Sequence, residues 1–350
     1  MQSFAMHRHE VPGSHSMLWN AAKPSRQFLL LLTGMLACIA TASTNACAEE
    51  IFLSVGLQGR RMVSRDGATW TDHTQWPGSK DRLTCAVTFK GAFYAGGGYS
   101  EPRITATSDG KTWSRGSLPQ GGGSLIGLEV IQGALYAVTA RGVIYRSDDG
   151  SEFRVVSKAK LPTNKHRLRS ADSGNGILVA SGEFGITLVA TDQCTKTSTR
   201  MMAGQDEKLI QIQRVSFANN RFVICGGNGL LATTTDGVGF QHDVAVPSRT
   251  HVYSVCHNGS RFLAYTTNHV LTSIDASQWI RVDDPLRLRF VYAAGDALFG
   301  TDFRRTTMNI SRDAGRSWTK VANPESYEMV FVAHGTIAGS GPPPQLPQPI

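Results

Sequence analysis

A short turn motif recurs along the chain at nearly constant spacing, and this periodicity limits the fold more than any other feature. The copies are SRDGATW (64–70), TSDGKTW (107–113), SDDGSEF (147–153), TTDGVGF (234–240), SIDASQW (273–279) and SRDAGRSW (311–318), with a degenerate one, ATDQCTK, at 190–196. Their aspartates, Asp66, Asp109, Asp149, Asp192, Asp236, Asp275 and Asp313, lie 43, 40, 43, 44, 39 and 38 residues apart. A period of about 40 residues is that of propeller blades or solenoid units.

Each unit reads alike. RVSFANNRFVICGGNGLLATTTDGVGFQHDVAVP (214–247) holds an apolar run, an Asn-rich turn, a second run, a Gly-rich turn, a third run, the Asp-Gly turn and a fourth run ending at Pro. That is four short strands per unit, and no segment carries a sustained helical period. The chain ends choose between an open stack and a closed ring. The segment from 51 to 70 aligns with the second strand of a unit onward, and YEMVFVAHG (327–335) reads as an innermost strand with no unit after it. The two fragments complete one blade, and a closed ring leaves only short protected edges. The sequence predicts an all-β, seven-bladed β-propeller of four-stranded blades over 49–340, with the first blade closed by strands from both termini.

The repeated motif resembles the Asp-box (BNR) repeat, Ser/Thr-x-Asp-x-Gly-x-Thr-Trp, of sialidase-like, sortilin-like and photosystem II assembly-factor-like propellers. The resemblance covers nearly all of 49–340. It implies that the turn joins the third and fourth strands on the face away from the usual ligand site. Asp66, Asp109, Asp149, Asp236, Asp275 and Asp313 are therefore expected to be structural: Asp caps the turn, Gly supplies positive φ, and Trp or Phe packs between blades.

The flanks read differently. Lys23 and Arg26 precede the apolar run FLLLLTGMLACIATA, followed by Ala46-Cys47-Ala48. This is the pattern of a signal peptide over 1–48, too short for a membrane span, with Met17 a candidate start. The mature protein is expected to be exported, periplasmic or secreted, and not membrane-spanning. At the other end the Pro-rich 341–350 is expected to be disordered. Four cysteines after residue 48, Cys85, Cys194, Cys225 and Cys256, are too few for a disulfide scaffold, though Cys225 and Cys256 fall in neighbouring units.

The chain carries a formal net charge of +8, and loss of 1–48 removes three basic residues and one acidic residue to leave +6. That charge matters only where it is concentrated. Loops leading into the innermost strands contribute Arg82, Arg167, Arg169, Arg214, Arg249, Arg287 and Arg289, and loops joining second and third strands contribute Tyr99, Arg141, Glu183, Arg304 and Arg305. A ring of guanidinium groups at a channel mouth focuses a positive field and grips carboxylate, sulfate or phosphate bidentately. The expected ligand is an acidic glycan or an acidic protein partner, bound by a monomeric binding or assembly module.

The alternative is a carbohydrate-active enzyme on the same face, a sialidase-like hydrolase or a uronic-acid lyase. A sialidase-like site needs an arginine cluster, a Tyr activated by Glu, and an Asp acid/base. Tyr327 beside Glu325 and Glu328, with Asp81, supplies those types. The Phe-Arg-Ile-Pro motif of such enzymes has only PRIT (102–105) as its counterpart, in the second of seven units rather than ahead of the first of six. A lyase would use Tyr327, His166, His251 or His269 as base. No cofactor, metal or nucleic-acid partner is expected: His and Cys lack zinc spacing, no Gly-rich loop opens a helix, and no basic run interleaves with aromatics.

Overall fold

The computed structural model describes residues 47–76, 81–119, 121–202, 211–242, 246–247, 249–283, 286–305, 307–321 and 329–348. Most of the segment expected to be a signal peptide, residues 1–46, lies outside them. Among the described residues, alternating apolar runs form 28 strands in seven four-stranded antiparallel sheets, a seven-bladed β-propeller.

Blade 1 takes β1 (Glu49–Gly56), β2 (Arg61–Ser64) and β3 (Thr71–Asp72) from the start of the chain. Blade 2 holds β4 (Leu83–Phe89), β5 (Ala92–Gly97), β6 (Arg103–Thr107) and β7 (Ser114–Ser117). Blade 3 holds β8 (Leu125–Ile131), β9 (Ala134–Thr139), β10 (Val143–Ser147) and β11 (Arg154–Lys158). Blade 4 follows with β12 (Leu168–Gly174), β13 (Ile177–Gly182), β14 (Ile186–Thr191) and β15 (Lys196–Met201). Blade 5 is built from β16 (Ile212–Ala218), β17 (Arg221–Gly226), β18 (Leu231–Thr234) and β19 (Gln241–His242). Blade 6 comprises β20 (Val252–His257), β21 (Phe262–Thr266), β22 (His269–Ser273) and β23 (Ile280–Asp283), and blade 7 comprises β24 (Phe290–Ala294), β25 (Ala297–Thr301), β26 (Met308–Ser311) and β27 (Thr319–Val321). The last strand, β28 (Met329–Ile337), returns to pair with β1, giving the order β28-β1-β2-β3. Blade 1 is thus closed by both ends of the chain, as the sequence predicts.

The six intact motifs form one kind of turn. In blade 1, Asp66 Oδ1 accepts from the amides of Ala68 and Thr69 at 2.8 and 2.7 Å and from Ser64 Oγ at 2.9 Å, while Ser64 Oγ accepts from Gly67 N at 2.8 Å. These amide bonds hold the Asp66 carboxyl down at about 2. Asp109, Asp149, Asp236, Asp275 and Asp313 accept from their turns in the same way. The degenerate copy differs. Asp192, Gln193 and Cys194 all take positive φ, and the turn closes through Thr195 N to Asp192 O at 3.1 Å. Cys194 is buried there against blade 3, so blade 4 keeps the packing role without the aspartate cap.

The core lies between blades, in apolar clusters that each draw on two neighbours, such as Phe52, Trp70, Phe299 and Ile310 between blades 1 and 7. All four cysteines of the sheets are buried free thiols, Cys225 and Cys256 included, with burial pushing both of those up to about 12.

The C-terminal residues correct one expectation. Over 341–348 the tail is ordered against blade 2: Ser117 N donates to Pro347 O at 2.9 Å, and Leu346 is only 6% exposed. A buried leucine and two hydrogen bonds to the edge strand hold a segment whose composition alone suggests disorder.

Candidate functional site

The innermost strands line a central channel, and sequence-local geometry sets what enters its mouth. At the start of β4, β12 and β16 the pairing register slips by one residue, between Leu83 and Cys85, Leu168 and Ser170, and Ile212 and Arg214. At each slip a backbone carbonyl, of Arg82, Arg167 or Gln211, presses on a glycine of the next strand, Gly97, Gly182 or Gly226, and leaves no room for a Cβ. These bulges re-aim the residues just ahead of the strands, a common use of the device.

The result is a cavity of about 850 Å³ at the mouth and upper channel. Six arginines line it, Arg82, Arg141, Arg167, Arg169, Arg214 and Arg305, against three carboxylates, Glu129, Asp172 and Glu183, and no lysine. The arginines of blades 2 to 4 form one side. Arg169 pairs with Glu183 at 2.9 Å, and Arg141 donates to Asn164 O. Arg82 and Arg167 are exposed where they line the cavity, and among the described residues their guanidinium groups make no hydrogen bond or ion pair.

The opposite side is aromatic. Tyr253, Phe290, Tyr292 and Phe331 line it, with Arg305 stacked 3.9 Å from the Phe290 ring centroid and Arg214 4.5 Å from that of Tyr292. Stacked guanidinium groups keep their N–H edges available for an anion.

Below the arginines sits a pair of carboxylates. Glu129 of β8 accepts from Ser173 Oγ at 2.8 Å, and Asp172 of β12 accepts from Ser173 N and Phe217 N, each at 2.8 Å. Desolvation in the channel wall, then the neighbouring Asp172 charge, holds Glu129 well above the usual carboxylate range. Desolvation likewise pushes Asp172 up to about 6, against the pull of its two amide donors and Arg214.

The expected residues divide. Arg82, Arg167, Arg169 and Arg214 meet in the cavity, as do Tyr99, Arg141, Glu183 and Arg305. Arg249, Arg287 and Arg304 are exposed outside it, and Arg289 turns to the carbonyls of Thr266 and Leu288 while stacking on Tyr253. Asp81, a candidate acid/base, is 2% exposed and paired with Arg115 at 3.0 Å, beneath the surface rather than in the channel. Tyr327, Glu325 and Glu328 lie outside the described residues. His166 is held by Thr163 at 2.8 Å, and His251 stacks on Tyr253. Glu129, Asp172 and the aromatic side were not picked out from the sequence, although a lone carboxylate at the fifth position of both LIGLEVI and LRSADSG was a signal.

The comparisons agree with this architecture. A family described as the DUF6242 beta propeller domain matches residues 16–184. Among solved structures, "YCF48 bound to D1 peptide" is similar at 16% identity with a TM-score of 0.58, covering 71% of this chain and 84% of that one. YCF48 from Cyanidioschyzon merolae is similar at 17% identity and a TM-score of 0.57, covering 71% and 87%. A computationally designed protein, Ika8, is similar at 12% identity and a TM-score of 0.54, covering 79% and 85%. The chain is a β-propeller. At these identities the structural likeness carries the fold and nothing finer. No curated protein matches the chain. Among the described residues, no helix is long and apolar enough to cross a membrane and no group of three or more His, Cys, Asp or Glu is placed to hold a metal ion.

Proposed function

We propose that the channel mouth binds an acidic segment of a protein partner and that the protein serves as a binding or assembly module. The observation that carries this reading is the convergence of Arg82, Arg141, Arg167 and Arg169 on one side of a single cavity, with two of the four unpaired. Six arginines against three carboxylates give the lining a formal net charge of +3, and protonation of Glu129 makes it more positive. Facing aromatic rings suit the apolar parts of a peptide. A similar propeller solved with a peptide bound is consistent with the same use. On this reading the six capped turns are Asp-box (BNR) turns that join the third and fourth strands of their blades, residues 1–48 direct export to the periplasm or exterior, and the protein acts as a monomer.

A carbohydrate-active reading has one observation in its favour. Glu129 and Asp172 share a channel with arginines, and burial holds Glu129 well above the usual carboxylate range, which suits a proton-holding general acid. One experiment separates the two. The protein is titrated calorimetrically with an Asp/Glu-rich peptide, a Lys-rich peptide and a uronic-acid oligosaccharide, and the mixtures are analysed by mass spectrometry. Binding of the acidic peptide alone, weakened by added salt, is expected. New oligosaccharide products would replace the binding module with an enzyme.

A further inference from the structure

The edge of blade 2 is unlike that of the other blades. After β28 the chain passes beneath blade 2, where Ala338 N donates to Gly91 O at 2.7 Å and Gly339 N to Ser108 O at 2.9 Å. It then runs along the outer strand β7. There Ser117 N donates to Pro347 O at 2.9 Å, and Gln348 Nε2 donates to Arg115 O at 3.3 Å. Both β7 groups point away from β6 and belong to the open edge of the sheet, the row an added extended segment pairs with. Leu346 drops between these two contacts into the apolar cluster that contains Ile104 and Leu118.

The fit depends on a missing side chain. A Cβ at Gly116 would stand 2.6 Å from both Leu346 Cβ and Pro347 O. In the other blades with an intact turn, the residue three beyond the turn's aromatic is His73, Val156, Asp243, Val282 or Val321. Only blade 2 has glycine there, and only blade 2 receives the tail among the described residues. The occupant is also suited to the role. PPPQLPQ, 342–348, is held extended by its prolines, so little chain entropy is lost on docking.

We propose that the outer edge of blade 2 is a binding groove for extended, proline-flanked leucine segments, and that the chain's own residues 342–348 occupy it in cis. The recognition elements are the Gly116 notch, the apolar pocket for leucine, and the Ser117 and Arg115 main-chain groups. The tethered tail competes at an effective concentration of about 1 mM, so an outside segment of the same chemistry enters only when the tail is released.

The test uses the full chain and a fluorescent peptide, PPPQLPQP. Leu346→Asp is expected to free the groove and bind the peptide saturably, at least tenfold more tightly than the wild type. Adding Gly116→Leu to that variant is expected to abolish binding. A Leu346→Asp protein that melts cooperatively, keeps the wild-type near-UV spectrum and does not bind the peptide overturns the proposal, as does equal binding by wild type and variant. Should Leu346→Asp not fold, hydrogen exchange on the wild type decides. A protected Ser117 amide supports the cis complex, and one exchanging as fast as an open edge amide overturns it.

Discussion

Phe52 in β1 stands directly opposite His334 in β28, and their rings lie 4.5 Å apart. Phe52 also meets Phe299 of blade 7 at 5.3 Å, so one side chain joins the two ends of the chain and the neighbouring blade. It is 4% exposed. Phe52→Ala is expected to lower stability by about 3–5 kcal/mol, the range for emptying a buried aromatic site. Phe303→Ala, at a residue 67% exposed, is expected to change it by less than about 0.5 kcal/mol. Urea unfolding of the two variants checks the contrast, and similar midpoints would remove the closure from the account.

Where a turn carries a glycine, that glycine docks its blade on the one before it. Gly67 has φ +70°, and a Cβ there would sit 2.9 Å from both Ile310 Cδ1 and Phe299 Cζ. Gly133 has a similar φ of +77° with nothing within 4 Å. Ala at Gly133 therefore reports backbone strain alone, about 1 kcal/mol, and Ala at Gly67 adds overpacking of about 1–3 kcal/mol. Thermal unfolding of both proteins measures the difference, which should be positive for Gly67.

The channel carboxylates give the protein a pH dependence with a definite sign. Asp172 titrates above its unfolded value of about 3.9, so the neutral form is the one the fold favours. Its contribution to stability is full below that unfolded value and is lost as pH rises through about 6. Charging Glu129 and Asp172 also adds repulsion below the arginines. Acidic-peptide affinity should therefore rise as pH falls from 7.5 to 5.5, a range chosen from the usual carboxylate values so that the peptide stays ionised. Glu129→Gln with Asp172→Asn should remove most of that slope and should stabilise the protein at alkaline pH. Affinity and melting temperature measured across this range check both statements.

The ring was legible in the sequence because the turn chemistry is local. A hydroxyl residue with an aspartate two positions on builds the same capped turn in six units, and their spacing counts blades. The exception was legible too, since ATDQCTK lacks both the glycine and the aromatic. The site was readable only as far as loops go. Arg82, Arg167 and Arg169 precede or open innermost strands, and the bulges there bring them together. Inside a strand the side a residue faces depends on register, and the slip between Leu168 and Ser170 shifts the parity of everything after it. That hid Asp172, and the slip between Leu125 and Gly127 hid Glu129 in the same way. Asp81 went the other way: its place before β4 suggested the mouth, whereas pairing with Arg115 draws it under the surface. Arg61, at the start of β2, is fully buried between Trp76 and Trp113, with ring centroids 5.0 and 5.3 Å away. Long-range partners of this kind leave no mark on the local sequence.

The central claim, that the arginine side of the mouth holds an acidic ligand, is tested most directly by titrating one fluorescent Glu-rich peptide against four proteins: wild type, Arg82→Ala, Arg167→Ala and Arg304→Ala. Arg82 and Arg167 line the cavity unpaired, and Arg304 is an exposed arginine outside it. Loss of a charge-assisted contact is worth about 1.5–3 kcal/mol, so the first two variants should each bind roughly tenfold or more weakly while Arg304→Ala matches the wild type. Equal affinity for all four proteins, or an equal loss in all three variants, would contradict the claim.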